Sequence, residues 1–108
     1  MPTRYQIILC TCPDKDTAEK IAHLLVKDKS AACVNILPGI TSIYRWLEQI
    51  ESAQEHLLLI KAAKSCYPAI EKTIKKQHPY ELPEIIAVPI ENGLPEYLHW
   101  IDSCHSYK

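Results

Sequence analysis

Cys10-Thr11-Cys12 is the first arrangement in this chain whose residue types could do chemistry. It ends an apolar run that reads as a strand, and residues two apart on a strand face the same way. Two thiols on one side suit a soft ion such as Cu(I). The opposing reading is packing, because a free cysteine behaves as a small hydrophobe and is among the most buried residue types. A lone thiol pair falls short of a zinc motif, which takes four ligands. Cys104 and His105 could take up metal adventitiously near a frayed terminus. His99, His23 and His56 show no motif spacing. The chain lacks GxSxG, HExxH, GxGxxG and Walker patterns. Its two glycines leave little from which to build a phosphate-cradling loop. A Cys10–His78 pair could act as nucleophile and base, but nothing in the sequence orients it. The expectation is a binding protein, not an enzyme.

Such residues need a scaffold, and the chain bounds it. With 108 residues it is read as one domain, 1–108. A chain of that size buries roughly 60–70% of its unfolded surface on folding, so oligomerisation is a natural way to bury more. A hydrophobic content of 47% argues against disorder. The net charge of −1 gives nucleic acid no attractive field. The N-terminal apolar run, Ile7 to Cys10, is too short for a signal-peptide core or a membrane span. A cytoplasmic location is expected. Cysteines at 10, 12, 33, 66 and 104 are odd in number and are read as free thiols.

The hydrophobic pattern supplies the elements. Arg4 to Thr11 reads as a strand, ended by Pro13-Asp14, with Asp14 or Asp16 as helix cap. Ala18, Ile21, Ala22 and Leu25 form one face of a helix. Ala32 to Leu37 is a second strand; Pro38-Gly39 marks a bend or bulge, and Ile40 to Trp46 resumes it. The turn is expected within Leu47 to Ala53. Gln54 to Ala62 follows as a strand buried on both faces. Ser65 is read as the cap of a helix carrying Tyr67, Ile70 and Ile74 and ending near Gln77 before Pro79. Glu84 to Pro89 is a short last strand. Pro95 opens a final helix with Leu94, Tyr97, Leu98 and Ile101 as its apolar face. The order β-α-β-β-α-β plus a helix predicts an α+β, ferredoxin-like domain with a four-stranded antiparallel sheet. Helices cover one sheet face, and the uncovered face needs a partner.

Four stretches go further: TCPDKDTAEKIA, SAACVNILPGITSIYRW, HPYELPEIIAVPI and GLPEYLHWI. Along nearly the whole chain they resemble the CutA family, the divalent-cation tolerance proteins. The resemblance implies a ferredoxin-like fold, a homotrimer joined through long β2–β3 arms, and a link to divalent-metal tolerance, chiefly copper. It also implies a likeness to the trimeric PII signalling proteins, which bind small effectors in intersubunit clefts. That alternative role, with a small effector or a protein as partner, rests on architecture alone. One stretch departs from the family. Where the family reads W-x-G-K-I-E, this chain has Trp46-Leu47-Glu48-Gln49-Ile50-Glu51. A positive-φ turn suits Glu48 less well than glycine, and any anion contact of the lysine is lost.

By the same resemblance, Cys10, His78 and Glu84 occupy positions linked to metal. A thiolate, an imidazole and a carboxylate suit Cu(II) or Zn(II). Packing for Cys10, a helix end for His78 and solvation for Glu84 are the plainer alternatives. Tyr44, Trp46, Lys61 and Tyr80 either line an intersubunit cleft for a small anionic ligand or, for the aromatic pair, anchor an interface.

Overall fold

The structure, a computed structural model, describes residues 4–105. Strand β1 (Tyr5–Cys12) is the centre of the fold. It pairs antiparallel with β3 (Gln49–Ala63) on one side and β4 (Ile86–Pro89) on the other. Strand β2 (Cys33–Trp46) lies outside β3, so the spatial order is β2-β3-β1-β4. Helices α1 (Lys15–Lys27), α2 (Tyr67–Gln77) and α3 (Pro95–Ser103) complete the ferredoxin-like arrangement.

Alternation along the strands assigns the two faces of the sheet. Ile8, Cys10 and Cys12 of β1 and Leu58, Ile60 and Ala62 of β3 are fully buried. They form one core with Ala18, Ile21 and Leu25 of α1 and Ile70 and Ile74 of α2. The intervening residues Ile7, Leu9, Leu57, Leu59 and Lys61 are only half-buried. The run HLLLIK is therefore buried on one face and part-covered on the other within a single chain. Helix α3 reaches this second face, where Lys61 Nζ lies 5.8 Å from the centroid of the Tyr97 ring. Its buried contact is Ile101; Leu94, its N-cap, is exposed.

Local chemistry sets the boundaries. Asp14 caps α1, its carboxylate accepting from Thr17 N at 2.8 Å. The depressed Asp14 pKa follows from this bond. The same helix ends in a Schellman motif: Ser30 N donates to Leu25 O and Lys29 N to Val26 O, with Lys29 at φ 65°. The second long helix starts differently from the expectation. Ser65 falls within a 3-10 turn (Lys64–Cys66), Cys66 is the N-cap, and Pro68 fits the first helical turn, where no N–H is needed.

Between Leu37 and Ile40 the β2–β3 register shifts by one residue, so Pro38 and Gly39 face the single residue His56. This is the expected bulge, with Gly39 at φ 72°. The turn is shorter than expected. Only Leu47 and Glu48 form it, at φ 50° and 67°, and Gln49 already pairs with Trp46. Two left-handed residues give the tight hairpin whose twist matches its strands. The family's glycine position is thus a left-handed position here, occupied by a glutamate.

Candidate metal centre

Three elements bring the candidate ligands together. Cys10 and Cys12 come from the helix-facing side of β1. His78 caps the C-terminus of α2, where its N–H donates to Ile74 O at 2.8 Å. The thiol sulfurs and an imidazole nitrogen of Cys10, Cys12 and His78 all lie within 4.8 Å of one another, and all three residues are buried. Two of the expected ligands, Cys10 and His78, are in this group. Glu84 is not: it is exposed and stands two residues before β4 begins. Cys12 takes the third place. Its spacing from Cys10 was visible in the sequence, but spacing cannot separate a packed thiol from a ligating one.

Both nitrogens of His78 are engaged. Tyr80 N donates to Nδ1 at 3.1 Å, so Nδ1 holds the lone pair. Nε2 therefore carries the hydrogen and donates it to Thr11 O at 2.7 Å. The Tyr80 ring lies 4.7 Å from the imidazole. A carbonyl acceptor on the second nitrogen is the usual support for a ligating histidine. Using Nδ1 as a ligand would cost the Tyr80 N–H bond.

The two thiols divide their protons unequally. The hydrogen bond with Cys12, burial, and the negative charges of Cys12, Glu84 and Glu55 all push the Cys10 pKa strongly up. The hydrogen bond from Cys10 pulls the Cys12 pKa down, against burial and the charges of Asp14 and Glu55. Cys10 is accordingly held neutral, and its Sγ lies 3.8 Å from Thr11 O as a weak donor. Glu84 acts here only as a nearby charge, adding to the larger effects of Cys12 and burial on Cys10. The donor set, two sulfurs and one nitrogen on buried residues, fits a soft or borderline ion such as Cu(I) or Zn(II) better than a hard one.

The other expected site residues are spread along the molecule. Tyr44 and Trp46 lie on the exposed end of β2. Tyr80 donates to Glu55 Oε2 at 2.7 Å; burial first, then this bond, raises its pKa. Lys61 sits under α3, ten positions along β3 from Glu51, the partner of Tyr44. That separation is about 33 Å. One chain does not gather these four into a cleft. His105 also departs from expectation. It is buried, accepts from Ala63 N through Nε2 at 2.9 Å, and donates from Nδ1 to Lys29 O at 3.0 Å. It clamps the end of the described chain onto the domain, with Cys66 Sγ 3.3 Å away.

Comparison with known proteins identifies the family and agrees with the fold. Residues 6–104 match the model of the CutA1 divalent ion tolerance protein family. The chain is 46% identical to the divalent-cation tolerance protein CutA of Thermus thermophilus over 89% of its length and 93% of that protein. It is 44% identical to mouse protein CutA, of whose length it spans 57%. The crystal structure of CutA1 from the psychrotrophic bacterium Shewanella sp. SIB1 superposes with a TM-score of 0.96. That match has 42% identity and covers 99% of this chain and all of the other.

Proposed function

Because the chain belongs to the CutA1 divalent ion tolerance family, we propose that it assembles as a homotrimer and weakly holds a zinc or copper ion at Cys10, Cys12 and His78. The convergence of these three buried donors within 4.8 Å carries the reading. Burial and soft donors favour such ions over magnesium or calcium. Weak affinity follows from the cost of entry. Cys10 must surrender a firmly held proton, and His78 must release the Tyr80 N–H. The ion is sequestered, and no catalytic step is assigned. Free thiols suit a reducing compartment, so the proposed location is the cytoplasm.

The trimer is supported by the surface. Beyond the bulge the β2–β3 hairpin forms an arm carrying Ile43, Leu47 and Ile50, each at least 73% exposed. A two-stranded arm with such an apolar surface is marginal alone and calls for a partner. Light scattering should give three times 12.3 kDa.

Calorimetric titration of zinc into the reduced, metal-free protein tests the site. The expectation is one ion per chain, with most of the affinity lost in Cys10→Ser and in His78→Ala. Affinity should also rise with pH by about tenfold per unit for each proton released. The sign follows from the raised Cys10 pKa, since acid keeps the proton that the metal must displace. Binding unaffected by both substitutions would overturn the site.

A further inference from the structure

His56 stands beside the three-donor centre with a feature the fold does not explain. Its Nδ1 is buried and has no hydrogen-bond partner among the described residues. A buried polar atom without a partner costs free energy and calls for a reason. The β1–β3 register places His56 directly opposite Cys12. Directly opposed residues point to the same face, with Cβ atoms about 4.5–5.5 Å apart. His56 is also the residue facing the Pro38-Gly39 bulge, a device that re-aims side chains.

We propose that His56 is the fourth ligand of a closed Cys2His2 site made with Cys10, Cys12 and His78. The proposal rests on the metal-binding reading above and deepens it. It changes an incomplete set of three donors into the four that a tetrahedral d10 ion takes. It also gives the unpartnered Nδ1 a task. In the structure His56 lies outside the group whose atoms meet within 4.8 Å. The proposal requires the His56 side chain to turn toward its cross-strand neighbour Cys12, with the strand register kept. The occupant is a soft or borderline ion, Zn(II) or Cu(I), because the set has two sulfurs and two imidazoles and no oxygen ligand.

Cobalt(II) added to the reduced full chain is the probe, since its visible spectrum reports coordination and sulfur ligation. The unmodified protein should show the intense bands of a tetrahedral ion and sulfur-to-metal charge transfer. His56→Ala should keep the charge transfer, weaken the tetrahedral bands, and lower affinity at least about tenfold, since losing even an outer-shell partner costs that much. His56→Gln, closer in volume, serves if the alanine variant does not fold. His23→Ala, an exposed histidine on α1, should change nothing. A His56 variant with unchanged spectrum and affinity, while Cys10→Ser abolishes binding, overturns the fourth ligand alone. No saturable cobalt or zinc binding in the unmodified protein overturns the three-donor reading and this inference with it.

Discussion

The body of the sheet and the arm beyond the bulge are made of the same two strands, yet they satisfy opposite conditions. Between Cys33 and Leu37, β2 pairs with a stretch of β3 whose alternate residues meet α1 and α2. From Ile40 to Trp46 the same strands continue without a helix over them, and both faces carry exposed apolar groups. Ile43 and Ile50 are diagonal neighbours on one face, while Tyr44 and Trp46 lie on the other. Hydrogen-bonded pairing is equally regular in both regions. What differs is what covers the side chains. The body is stabilised from within the chain; the arm, on the proposed trimer, is stabilised by neighbours.

Charging the arm should separate the two regions most sharply. Ile43→Glu with Ile50→Glu is expected to reduce the mass in light scattering from three times 12.3 kDa to a single chain. The stabilisation that comes from association should vanish with it. Circular dichroism of the body should be kept. A trimer that survives the double change would place the interface elsewhere.

Ile60→Ala makes the converse cut, in a fully buried position of the body. It should cost about 2–5 kcal/mol through lost burial and the cavity left behind. Denaturant titration reads this as a lower midpoint. A loss below that range would mean that the body is less tightly packed than its burial indicates.

His105→Ala tests the clamp at the rim of the body. It leaves the Ala63 N–H without its acceptor, and should cost about 1–3 kcal/mol. Faster hydrogen exchange at the Ala63 amide would localise the effect, whereas unchanged exchange would assign the loss to packing.

The smallest effect belongs to the arm's tip. Glu48 has φ 67°, so Glu48→Gly should relieve a left-handed strain and stabilise by about 1 kcal/mol. The urea midpoint should rise with an unchanged slope. A fall would show that the Glu48 side chain contributes more than its backbone costs.

Much of this architecture is legible in residue order because it depends on local rules. The 3.6-residue spacing of Ala18, Ile21, Ala22 and Leu25 specifies the buried face of α1, and Asp14 specifies where that helix begins. Pro38-Gly39 specifies the bulge, since proline cannot donate and glycine accepts a left-handed φ. Residues 47–53 are less legible in residue order. Their polar composition resembles a loop, but pairing with β2 supplies backbone hydrogen bonds that composition does not reveal.

The proposed metal centre divides along the same line. Residue order alone places Cys10 and Cys12 on one side of a strand, because side chains alternate with period two. Only the tertiary structure decides that α2 ends against that strand, so that His78 reaches Thr11 across 67 positions of sequence while Glu84 stays outside. Only the cross-strand register decides that His56 stands opposite Cys12. Those juxtapositions are set by helix packing and strand pairing between distant segments, and no spacing within either segment encodes them.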